Sequence, residues 1–117
     1  MGSWLNMAKH SNDRLQGTLD LLILKVLARA GSLHGYAIAQ RIQQATDGYL
    51  RIEEGSLYPA LHRMTNDKWL QAKWSTTDSK RKARFYTITA AGERQLEDEE
   101  QRWTELTTAV GKALQFA

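Results

Sequence analysis

Hydrophobic positions along this chain alternate between a helical and a strand period, and the switches run in one order: three helices, two strands, one long helix. Leu19, Leu22, Ile23, Val26 and Leu27 recur at the spacing of a helix face that Gly17 or Thr18 can cap and Gly31 stops. After His34–Gly35, the residues Tyr36, Ala39 and Ile42 predict a second helix ending around Thr46–Asp47–Gly48. Tyr49 to Ile52 is a short extended piece able to pair as a strand. A third helix is expected to open near Gly55–Ser56, with the Ser56 hydroxyl capping free backbone N–H groups and Pro59 in an early turn. Leu57, Leu61 and Met64 form its buried face, and Glu53 and Glu54 complement the positive end of its dipole.

Beyond Trp69 the period changes to two. Leu70, Ala72 and Trp74 alternate with Gln71 and Lys73, and the return segment FYTIT is rich in aromatic and β-branched residues. Between them lies STTDSKRKAR, which puts Lys80, Arg81, Lys82 and Arg84 on the tip and descending edge of a hairpin. From Gly92 the chain reads as one long helix, with Leu96, Trp103 and Val110 every seventh residue and Leu106 and Ala113 between them. The expected fold is mainly α with a small β-hairpin: an N-terminal arm or short helix over 1–14, a winged helix-turn-helix over 15–92, and a long C-terminal dimerisation helix over 93–117.

Composition narrows the chemistry. A chain of 117 residues, 42% of them hydrophobic, is enough for one small core. It has no cysteine, which excludes disulfide scaffolds, thiolate metal sites and cysteine nucleophiles and suits a reducing cytoplasm. His10, His34 and His62 are too scattered for a metal site, and no cofactor is expected. The longest apolar run, LDLLILKVLA at 19–28, is short of a membrane span and interrupted by Asp20 and Lys25, so it reads as a core helix and no membrane partner is expected. No secretory signal is visible, and the opening Met1–Gly2–Ser3 is compatible with a cloning remnant. An enzyme fails on inventory, with neither a glycine-rich phosphate loop nor a nucleophile with a paired base.

Charge separates two jobs. Residues 1–92 carry 13 Lys and Arg against 7 Asp and Glu, a balance of +6, whereas 93–117 carry 3 against 6, a balance of −3. A basic body can neutralise the phosphates of double-stranded DNA, and an acidic tail belongs on the far side. With the Leu57 face buried, Ser56, Tyr58, Pro59, His62 and Arg63 point elsewhere and offer groove-reading chemistry. Ser56 and Tyr58, near the helix start, are expected closest to the bases, while Arg63, about two turns in, is expected to clamp a phosphate. Tyr58 also reads as a brace in the helix packing, and His62 as a phosphate neighbour or a solvated side chain. Lys80, Arg81 and Lys82 would lie along the phosphates or in the minor groove. A winged helix that only binds protein is the competing class, and it predicts an acidic or apolar third-helix face instead. The C-terminal stripe of Leu96, Trp103, Leu106 and Val110 needs a cover, and a second copy of the chain across a two-fold axis, helped by Trp4 and Leu5, is the expected one; the alternative is that the helix folds back onto its own domain. Trp4 and Trp103 would there flank an aromatic-lined gap suited to a flat apolar effector.

In order and spacing, LQGTLDLLILKVLA, HGYAIAQRIQ, EEGSLYPALHRM and KARFYTITAAG resemble the PadR family of bacterial transcriptional regulators over about residues 15–92. The resemblance implies a homodimeric winged-helix repressor of the subgroup with a single short C-terminal helix, dimerising through that helix and often through the N-terminal segment. It also implies a DNA-side role for Tyr36, at the start of the second helix, beside Ser56, Tyr58 and Pro59, although the Tyr36 ring also reads as a partly buried brace in the helix packing.

Overall fold

The computed structural model describes the backbone over residues 3–116 and the side chains over 17–116. Seven elements follow in chain order: α1 (Ser3–Ala30), β1 (Leu33–His34), α2 (Gly35–Ala45), α3 (Glu54–Asn66), β2 (Leu70–Thr76), β3 (Lys82–Ile88) and α4 (Ala90–Phe116). The strands form one antiparallel sheet in the order β1-β3-β2. Helix α1 is the hub, touching α2, α3, α4 and β3. Its Leu19, Ile23, Leu24 and Leu27 meet Ile38 and Ile42 of α2, Leu57, Ala60, Leu61 and Met64 of α3, Leu70 and Tyr86 of the sheet and Leu96 of α4 in a single core.

The two charges that interrupt the apolar run of α1 each reach another helix. Asp20 pairs with Arg63 of α3 at 2.7 Å, and Lys25 pairs with Glu100 of α4 at 3.1 Å. The pairs lie five positions apart on α1, which ties the neighbouring helices to it by ionic contacts as well as by apolar burial.

The fold departs from the sequence expectations in four places. The helix predicted to begin at Gly17 or Thr18 runs unbroken from Ser3, because nothing between them denies the backbone its hydrogen bonds; an interior glycine only weakens a helix, by about 1 kcal/mol. The strand expected over 49–52 does not form. Its donors are used locally, Tyr49 N–H reaching Thr46 O at 2.9 Å and Leu50 N–H reaching Thr46 Oγ1 at 3.0 Å, and Leu33–His34 supplies the third strand instead. Helix α3 starts earlier than expected, at Glu54 with Glu53 as N-cap, so Ser56 is its third residue and not its cap; Glu53 O accepts from both Ser56 N and Leu57 N. Leu96 belongs to the chain's own core and is not free for a dimer seam.

Helix α4 is fastened at its start. Thr89 Oγ1 accepts from Gly92 N at 3.0 Å and donates toward the carbonyls of Lys68 and Trp69, and Gly92 packs so tightly that any side chain there would strike the Trp69 carbonyl. These contacts account for Thr89 and Gly92 at the end of the wing. Past Glu100 every described α4 side chain is exposed, and Trp103, Leu106, Val110, Leu114 and Phe116 carry apolar surface into solvent.

Candidate nucleic-acid interface

The hairpin turns a core-facing surface into a groove wall by its two-residue period. Paired positions on one face run outward from Leu70–Ile88, through Ala72–Tyr86 and Trp74–Arg84, to Thr76–Lys82. Leu70 and Tyr86 lie in the core; Trp74 and Arg84, further along the same face, have left it. Opposite them stand the start of α2 and the outer face of α3, and between the two walls lies an open groove of about 1100 Å³. Arg84 lies 5.9 Å from the centroid of the Tyr86 ring, a cation–π contact that orients a wing cation beside the groove.

The other wall is built on His34 and Gly35. His34 Nδ1 accepts from Ala37 N at 3.4 Å and so caps α2, while its ring meets Phe85 edge-on at 5.3 Å. Gly35 is buried beneath Tyr58: a Cβ there would lie 2.8 Å from Tyr58 Cε1. The missing side chain lets the tyrosine ring lie against the α2 backbone. Tyr58 thereby braces α3 on α2 and still faces the groove, being 44% exposed. Burial raises the Tyr86 hydroxyl pKa above its ordinary value, so this neighbour remains a neutral phenol.

Of the residues the sequence nominated for DNA, Tyr36, Tyr58, His62, Arg81 and Lys82 come together around this groove. Ser56, Pro59 and Lys80 are exposed but do not line it. Lys80 sits at the hairpin tip with φ +63°, its N–H donating to Thr77 O at 2.8 Å. Tyr36, which shares a helical spacing with Ala39 and Ile42 in the sequence, is not on the buried face of α2: Gly35, Ile38 and Ile42 are buried, and Tyr36 is 63% exposed and lines the groove. Arg63, expected to clamp a phosphate, does not line the groove. Its Nη2 bonds Asp20 Oδ1 at 2.7 Å, which directs the guanidinium to α1 and away from the groove lining.

Sequence reasoning did not nominate His34, Gln40, Trp74 or Tyr86 for this surface, although they help to line it. Trp74 carried a readable signal. It stands on the apolar phase of a strand beyond the last residue the core can cover, and it is 66% exposed.

A second, smaller hollow of about 420 Å³ lies between α1 and α4, lined by Leu21, Trp103 and Leu106 with Glu99 and Arg102 at its side. Arg102 and Glu99 pair at 2.8 Å. Trp103, Leu106 and Val110 are all exposed; Trp4 and Leu5, nominated beside them, lie outside the residues whose side chains are described. Among the described residues no cluster of His, Asp or Glu could hold a metal ion, and no helix is long and apolar enough to cross a membrane.

Known proteins agree with this geometry. The profile of the transcriptional regulator PadR-like family matches residues 23–98. A transcriptional regulator from Clostridium thermocellum superposes with a TM-score of 0.77 at 26% identity, over 86% of this chain and 96% of that one. A PadR-like transcriptional regulator from Bacillus cereus gives 0.74 at 28% identity, over 90% and 99%. A PadR family regulator from Eggerthella lenta gives 0.72 at 28% identity over the full length of both chains.

Proposed function

Because the chain belongs to the PadR-like family of transcriptional regulators, we propose that it is a homodimeric repressor that binds a near-palindromic operator through α3 and the wing. The observation that carries this reading is the single groove onto which Tyr36, Tyr58 and His62 of the helices and Arg81, Lys82 and Arg84 of the wing all open. Hydroxyl, imidazole and guanidinium groups on one concave surface suit sugar, phosphate and base edges, whereas a winged helix that had become a protein-binding module would present an acidic or apolar face there. Tyr58, with Ser56 nearby at the start of α3, reads bases in the major groove; Lys80, Arg81 and Lys82 neutralise phosphates. Two copies joined through Trp103, Leu106 and Val110 of α4 set two α3 helices about one DNA turn apart, roughly 34 Å.

The hollow between α1 and α4 supports a place for a flat aromatic effector beside Trp103, close enough to the dimer contact for its occupancy to alter how the two copies are held. A mobility-shift titration of the purified chain against the promoter next to its own gene tests the central claim. Retarded DNA whose affinity falls steeply with salt is the expected result, and equal affinity for promoter and random DNA would refute operator recognition.

A further inference from the structure

Arg63 stands in the last turn of the helix that would read DNA, yet its guanidinium is engaged by a carboxylate 43 residues earlier. The Asp20 side chain is only 10% exposed and the Arg63 side chain 35%. Glu99 of α4 and Asp67 at the end of α3 add repulsion to the carboxylate, and burial lifts the Asp20 pKa above the ordinary carboxylate value, with the Arg63 hydrogen bond pulling the other way. The same bond holds the Arg63 pKa up. The two effects point in opposite directions for the value of the pair, and the burial of Asp20 decides between them: a charge taken out of water beside two other acids is poorly offset by one partner that is itself a third exposed. Pairs of this kind are often replaceable by apolar residues of similar volume without loss of stability, and in some proteins they instead fix one arrangement among several.

That arrangement is the seat of α3. Its apolar contacts through Leu57, Leu61 and Met64 are non-directional and tolerate small rotations. Two specific contacts limit that freedom: the Tyr58 ring packed on Gly35, and the Arg63 hydrogen bond to Asp20. We propose that Asp20 and Arg63 are positioning residues that fix the rotation of the recognition helix on α1, and that Arg63 does not contact DNA. This rests on the reading of the chain as a DNA-binding regulator.

The test uses the full chain and a site selected from random DNA by the unaltered protein. Variants Asp20→Leu with Arg63→Met, Arg63→Met alone, and the nearly isosteric Asp20→Asn are compared for thermal midpoint, affinity for the selected site, affinity for random DNA, and salt slope. The double variant is expected to melt at or above the wild-type temperature and to bind the selected site about tenfold more weakly, the effect of a misplaced base contact. Random-DNA affinity and salt slope should stay unchanged. Asp20→Asn should move selectivity in the same direction, which guards against a packing failure in the double variant. Wild-type selectivity in Asp20→Asn overturns the proposal. So does Arg63→Met if it weakens selected and random DNA alike and lowers the slope by about one unit, because that is the signature of a phosphate no longer neutralised. If the unaltered protein selects no sequence from the pool, the DNA reading itself falls and takes this inference with it.

Discussion

The groove face and the outer half of α4 both expose large apolar side chains, but in opposite company. Around the groove, Tyr36, Tyr58 and Trp74 are interleaved with Arg81, Lys82 and Arg84. Along α4 beyond Glu100, Trp103, Leu106, Val110, Leu114 and Phe116 recur on a helix whose C-terminal 25 residues carry a net −3. Exposure alone therefore does not distinguish the two surfaces; the neighbouring charges do. Aromatic rings beside cations suit a polyanion, which supplies both stacking faces and phosphates. An apolar stripe among acids repels that polyanion and suits a second apolar stripe.

The widest way to break this contrast is to charge the α4 stripe. Trp103→Glu with Val110→Glu should convert dimers to monomers in sedimentation while leaving the core intact, since both side chains are exposed in the single chain. Operator affinity should then drop by about 10²- to 10⁴-fold, the range expected when the second site no longer benefits from a high effective concentration. If the doubly charged protein remains a dimer, some other surface joins the copies.

Next in size is removal of the wing cations. Lys80→Ala, Arg81→Ala and Lys82→Ala together should weaken binding to every sequence alike and flatten the salt dependence by about one unit for each phosphate left without its cation. A slope identical to wild type would mean that the hairpin tip, with its Thr77–Arg81 and Thr77–Lys80 backbone bonds, stands off the DNA.

The groove wall of helices should respond differently from the wing. Tyr58→Ala should relax the selected motif, with a loss of discrimination of about 1–3 kcal/mol if the hydroxyl reads a base edge. Gly35→Ala sharpens the point without touching any exposed group: its Cβ would press on the Tyr58 ring and lift it, so the motif should relax in the same sense but less. Relaxation in Tyr58→Ala but not in Gly35→Ala would mean that the ring's seat on α2 does not govern its aim.

The two surfaces are unequally legible in the sequence. Periodicity locates α2, α3 and the hairpin, because each buries one face over successive turns or alternating positions, and α4, whose apolar stripe recurs although most of it is exposed; the basic tip is visible as composition. What escapes depends on contacts between distant segments. Leu33–His34 is too short to show a period and becomes a strand only because β3 offers it Tyr86 and Phe85. The Arg63–Asp20 bond joins residues 43 positions apart and shows only once the fold brings them together. Leu96 continues the heptad of the α4 stripe, yet it lies where the helix still packs on the domain. Tyr36 fits the helical spacing of Ile42, but Gly35 and Ile38 turn the buried face by one position.

The smallest expected effect is on stability against pH, and it separates the buried acid behind α3 from the exposed acids of α4. Asp20 has its folded-state pKa raised above the ordinary aspartate value of 3.8, burial being the largest cause. A raised carboxyl pKa means that the folded protein holds this proton more firmly than the unfolded chain does. The contribution of Asp20 is therefore most favourable below pH 3.8 and is lost as pH rises through the raised value, the reverse of the usual acid-denaturation sign. Asp20→Asn removes this titration while keeping the side-chain shape. Thermal midpoints of the two proteins should consequently diverge in one direction, wild type losing ground to the variant as pH rises from 3.8 through the raised pKa and the difference levelling off above it. A wild-type advantage that grows with pH would instead mean that the Arg63 bond outweighs burial, and that the pair contributes to stability as well as to the seat of α3.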